Sequence, residues 1–126
     1  MLIARTPQFI IYKGSTPCLE CAMSEALLDT DVIYATFWQL DHRVIEYNIN
    51  GTTDPTLPEV SGRLEIDEEN PALLQILLTQ SDTLQLQTGE VELQIRVKRS
   101  DSGEVLADTM VPVFGRIGPA YKEGTI

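Results

Sequence analysis

The clearest periodicity in the chain runs from Glu90 to Lys98, where Val91, Leu93, Ile95 and Val97 alternate with Glu90, Glu92, Gln94, Arg96 and Lys98. A period of two sorts these side chains onto opposite faces of a β-strand, whereas the helical period mixes them. The cluster Ser100-Asp101-Ser102-Gly103 follows and marks a turn. Beyond it, Val105, Ala107, Thr109, Val111 and Val113 again fall on one side. Two alternating runs joined by a short polar turn predict a β-hairpin of Glu90–Lys98 with Val105–Val113.

Earlier segments repeat the theme. Phe9 to Tyr12 is a short apolar run closed by Gly14, and Pro17 to Met23 alternates with Leu19, Cys21 and Met23 inward. Ser24 to Asp31 fits a helical turn or a loop. Val32 to Gln39 is β-branched and aromatic, with Ile33, Ala35 and Phe37 on one face and Val32, Tyr34 and Trp38 on the other. Asp41-His42 predicts a turn into a strand over Arg43–Asn48. Asn50-Gly51, Pro55 and Pro58 make residues 50–62 a long surface loop. Arg63–Asp67 and Leu73–Leu78 are further strand candidates, and Ser81-Asp82-Thr83-Leu84 predicts a brief helical turn that tucks Leu84 and Leu86 into the core. About seven short strands with little helix predict an all-β fold, an antiparallel β-sandwich. A small barrel is the alternative, because a period of two does not separate a closed sheet from two packed ones. Gly115 to Ile126, with Pro119, is expected to leave as an extended tail. The sandwich is accordingly placed at 9–117, with an N-terminal arm at 1–8 and a tail at 118–126.

At 126 residues the chain has the length of one domain and holds a core without staples. Nine basic and nineteen acidic residues give a net charge of −10. That field repels phosphates, which excludes duplex nucleic acid and anionic membranes as partners. No apolar run approaches a signal peptide or a membrane span, so synthesis and maturation are expected in the cytoplasm.

Catalytic chemistry is thinly represented. Cys18 and Cys21 form a C-x-x-C, but an odd separation within a strand sends the two thiols to opposite faces. A structural zinc site also needs four ligands, and the chain has one histidine. Cys21 therefore fits a small core residue and Cys18 a partly exposed thiol. His42, the sole candidate for general-base work, sits in the Asp41-His42-Arg43 turn, where a dry pocket is not expected. Asp67-Glu68-Glu69-Asn70 lacks the D-x-D-x-D-G spacing of a calcium loop and fits a charged loop rim. No catalytic residue, metal site or cofactor is expected. Aromatics are concentrated in one hairpin as Tyr34, Phe37, Trp38 and Tyr47, and fit either a shared core or a binding face, the core being favoured. The candidate interaction residues are Trp38, Tyr34, Tyr47, Phe9 and Tyr121.

Three segments carry a resemblance: Tyr12-Lys13-Gly14-Ser15-Thr16-Pro17, Leu78-Thr79-Gln80-Ser81-Asp82-Thr83-Leu84, and Gly89-Glu90-Val91-Glu92-Leu93-Gln94-Ile95-Arg96-Val97. In this order they resemble small structural proteins of phages and prophages of Gram-positive gut bacteria, with Cys18 and Cys21 as departures from the pattern. The chain is also loosely similar to the amino-terminal module of baseplate upper proteins. The resemblance implies an immunoglobulin-like β-sandwich in the virion, in the tail, baseplate or neck. It also implies a multi-copy assembly whose partners are other virion structural proteins, with no enzymatic activity. The alternative is a carbohydrate- or host-surface-binding module, such as a fibre-associated or capsid decoration protein. A third reading, a metal-assisted hydrolase using His42 and the acidic loop, ranks last.

Overall fold

A computed structural model of the protein describes residues 8–57, 63–106 and 113–119. Among these residues the elements are β1 (Phe9–Tyr12), β2 (Cys18–Ala22), β3 (Val32–Gln39), β4 (His42–Ile49), β5 (Leu64–Ile66), β6 (Leu73–Leu77), α1 (Gln80–Leu84), β7 (Gly89–Lys98) and β8 (Val113–Gly118). They form a five-stranded sheet in the order β1-β8-β7-β3-β4 and a three-stranded sheet in the order β2-β6-β5. With β4 set aside as an added strand C′ and the others lettered in chain order, β2-β6-β5 is B-E-D and β8-β7-β3-β4 is G-F-C-C′. That is the strand order of an immunoglobulin-like sandwich. Pairing is antiparallel except for β1, which runs parallel to β8 from Phe9 beside Gly115 to Tyr12 beside Gly118.

The core follows from alternation. Ile33, Ala35 and Phe37 of β3 are fully buried, and so are Leu74 and Ile76 on the opposing sheet. Ile45 and Tyr47 of β4 and Val91, Leu93, Ile95 and Val97 of β7 complete the packing. Phe37 stands edge-on to two rings, with its centroid 6.5 Å from Phe9 and 6.2 Å from Tyr47. Tyr47 is 1% exposed, so, contrary to the expectation that it meets a partner, it is a core residue. Among the described residues no partner meets its hydroxyl in hydrogen-bonding geometry. Burial first, then the nearby Asp82 carboxylate, raises its pKa above the usual phenol range.

Two sequence expectations shift. β8 begins at Val113, and Val105 makes only an isolated bridge to Lys98; the expected strand residues 107–112 lie outside the described residues. Gly115–Gly118 belong to β8 rather than to a tail. The glycines there read as tail residues because glycine is a poor strand former. In the fold they admit close neighbours: the Phe9 ring lies against Gly115 where a Cβ would stand.

One end of the sandwich is tied by side chains. Thr79 caps α1, accepting from Asp82 N at 3.2 Å, while Asp82 Oδ2 accepts from Thr79 N at 3.1 Å. The Arg63 guanidinium donates to the same carboxylate at 2.7 Å. The Gly14 amide donates to Thr83 Oγ1 at 2.9 Å, and that hydroxyl donates to Ser15 O at 2.8 Å. Two of the three resemblance segments thus meet here, as framework.

The β3–β4 hairpin closes in two residues, Leu40 (φ 49°) and Asp41 (φ 62°), with Gln39 paired to His42. This is the primed turn that suits strand twist, and its left-handed positions favour Asn and Gly. Leu40 is 87% exposed and gains no burial in return. Leu40→Asn is therefore expected to stabilise the protein by about 0.5–1 kcal/mol, read as a higher urea midpoint at unchanged slope.

Candidate binding face

Alternation that buries Phe37 sends its neighbours outward. Tyr34, Thr36 and Trp38 of β3 point away from the core, beside Asn48, Glu46 and Arg43 of β4 and Arg96, Gln94 and Glu92 of β7. The expected common core of the four hairpin aromatics is corrected: Phe37 and Tyr47 face in, Tyr34 and Trp38 face out. The register shift between Phe37 and Trp38 sets Trp38 opposite Arg43.

Glu46 lies at the middle of this outer face, only 6% exposed. Thr36 Oγ1 donates to its Oε2 at 2.9 Å, and Arg43 at 3.5 Å and Arg96 at 3.9 Å compensate its charge. A buried carboxylate without such partners would be costly. Arg43 also holds Asp54 at 2.5 Å. The Asp54 pKa is lowered, first by the Thr56 hydroxyl and amide and then by Arg43. Arg96 lies over the Tyr34 ring, 5.1 Å from its centroid. The Tyr34 hydroxyl accepts from Thr52 N at 2.9 Å, and its ring abuts Gly51, where any Cβ would clash at 2.6 Å. Tyr34 therefore serves the loop after β4 more than a partner.

Trp38 is different. It is half-buried and lines a groove of about 510 Å3 with Gln39, Leu40, Asp41, Gln87, Thr88, Glu90 and Glu92. The groove walls are clasped by one amide: Gln39 Nε2 donates to Gln87 O at 2.7 Å and to Glu90 O at 3.1 Å. Gln87 N donates back to Gln39 Oε1 at 2.9 Å. Sequence reading singled out Trp38 but missed this clasp, because Gln39 and Gln87 are distant in the chain.

A second groove, about 520 Å3, opens along the seam between the sheets, lined by Phe9, Leu19, Cys21, Met23, Leu93, Ile95 and Val113. Phe9 packs against Phe37 here as a half-buried core residue. Among the described residues β2 is the last strand of its sheet. Pro17 O and Met23 N bond to β6 residues and their immediate neighbours, so by alternation the backbone groups of Cys18, Glu20 and Ala22 face the open edge. Cys18 is exposed and Cys21 half-buried on opposite faces of β2. Burial pushes the Cys21 thiol up to about 11. Burial, then Glu20 and Glu65, raise Cys18. Both thiols are therefore protonated and weakly nucleophilic at neutral pH.

His42 is exposed at the start of β4, just past the hairpin turn. Asp67 Oδ1 accepts from Glu69 N at 2.9 Å and from Asn70 N at 3.3 Å, so the acidic run shapes the β5–β6 turn. Among the described residues no group of three or more His, Cys, Asp or Glu side chains is placed to hold a metal ion. No described helix is long and apolar enough to cross a membrane. Tyr121 lies outside the described residues.

No protein-family model and no curated protein matches the chain. Among solved structures it is similar to the first immunoglobulin-like domain of human CD48 antigen, at 14% identity and a TM-score of 0.37, over 98% of this chain and 94% of that one. The fold assignment rests on strand order.

Proposed function

We propose that the protein is a non-enzymatic structural component of a phage particle, in its tail, baseplate or neck, present in many copies and held by neighbouring virion proteins. The observation that carries the reading is the open seam. Among the described residues no strand covers the outer edge of β2, which presents the backbone groups of Cys18, Glu20 and Ala22 beside the half-covered apolar side chains of Leu19, Cys21 and Met23. An extended segment from a neighbouring protein fits that geometry: its backbone continues the three-stranded sheet while alternate side chains enter the groove. The three segments that resemble phage structural proteins support the same reading, and a net charge of −10 keeps free subunits apart and repels packaged DNA.

Mass spectrometry of gradient-purified particles is the test. The protein is expected at a stoichiometric ratio to the tail proteins, and particles that lack it reject the reading.

A further inference from the structure

We propose that the Trp38 groove on the outer face of the five-stranded sheet is a binding site for a neutral oligosaccharide. The inference is independent of any place in a virion. It rests on three features of the groove.

Trp38, whose half-buried indole faces outward from β3, lines the groove. The C–H groups along one face of a pyranose ring carry slight positive charge and stack on the negative face of an indole. Its lining is mixed: Leu40 and Val91 stand among Asp41, Gln87, Thr88, Glu90 and Glu92. Carboxylates and amides accept from sugar hydroxyls in fixed directions, which is how a few convergent polar groups orient a ligand in a cleft. Its walls are also pre-set. The Gln39 clasp joins the β3 end to Gln87 by two hydrogen bonds and to Glu90 of β7 by a third, so a ligand entering the groove has little ordering to do.

Charge narrows the ligand class. Three acidic residues line the groove against one guanidinium, that of Arg43 opposite Trp38, in a chain of net charge −10, so the balance disfavours uronic acids, sialic acids and polyphosphates. Cation recognition draws on an aromatic cage, whereas Trp38 is the one aromatic side chain lining this groove. A volume of about 510 Å3 is within the range of small-ligand sites.

The experiment uses a favourable accident of composition: Trp38 is the chain's single tryptophan, so its fluorescence reports this groove alone. The probes are cellohexaose, laminarihexaose, maltohexaose, mannohexaose and chitohexaose, with hexagalacturonate and tetramethylammonium as charged controls. At least one neutral hexasaccharide is expected to blue-shift the emission saturably, and to move the amide resonances of Gln87, Thr88 and Glu90. Trp38→Ala, followed by those amide resonances, is expected to weaken binding at least about tenfold while the dispersed spectrum of the folded protein persists. Glu90→Gln, which keeps the fold and the tryptophan, is expected to weaken it several-fold. The proposal is overturned by silence from every neutral probe at about 10 mM, a concentration that reveals even millimolar dissociation constants. It is equally overturned by tighter binding of either charged control, or by unchanged affinity in the folded Trp38→Ala protein.

Discussion

Asp82→Ala is expected to lower the unfolding free energy by about 3–5 kcal/mol, the range for removing one partner of a buried ion pair. Asp82 is 2% exposed and Arg63 24%, so the guanidinium would be left half-sheltered without its carboxylate. The same substitution removes the residue that closes the α1 cap from Thr79 N. Equilibrium urea unfolding near neutral pH measures the loss.

The pH dependence provides an internal check. Burial pushes the Asp82 pKa up, but hydrogen bonds from Arg63 and the Thr79 amide, with the Arg63 charge, prevail and hold it below 3.8. A carboxyl depressed in the folded state contributes its full stability above the unfolded pKa and loses it as pH falls through the folded value. The gap between the wild-type protein and Asp82→Ala is therefore expected to be widest near neutrality and to narrow below pH 3.8. A gap that stays constant into acid would mean that the pair contributes through packing alone.

Phe37→Ala is the second large effect, expected to cost about 3–5 kcal/mol. The ring is fully buried and meets Phe9 and Tyr47 edge-on. Its loss opens a cavity and removes two aromatic contacts. Against a typical domain stability of about 5–15 kcal/mol, a substantial unfolded fraction in mild denaturant is expected. Adjacent Trp38 provides the contrast: its side chain is on the outer face, so Trp38→Ala is expected to cost under about half as much. Parallel unfolding curves for the two variants decide the matter, and equal losses would place both rings in the core.

Much of this architecture was legible because burial on one face leaves a period of two. β3 and β7 could be read almost residue for residue, and the helical turn was visible from the run Ser81-Asp82-Thr83-Leu84, though its cap, Thr79, was not. Topology was less legible. Nothing local in Phe9–Tyr12 announces a parallel partner near the other end of the chain, and Gly115 and Gly118 looked like punctuation when they are contact surfaces for Phe9 and Tyr12. The binding face was half legible. The aromatic hairpin stood out, but alternation alone does not tell which of Phe37 and Trp38 faces the second sheet. The Gln39 clasp depends on a contact between residues 48 positions apart.

The parallel alignment of β1 with β8 bears on how the protein is made. During translation β1 leaves the ribosome early, yet the strand it must join is among the last described segments to follow it. At about 5–20 residues per second, that wait is roughly 5–20 s. Hairpins such as β3–β4 have long since formed by then, so β1, although made before them, is seated after them. A pause late in synthesis prolongs the interval in which it is open to pairing with the wrong strand.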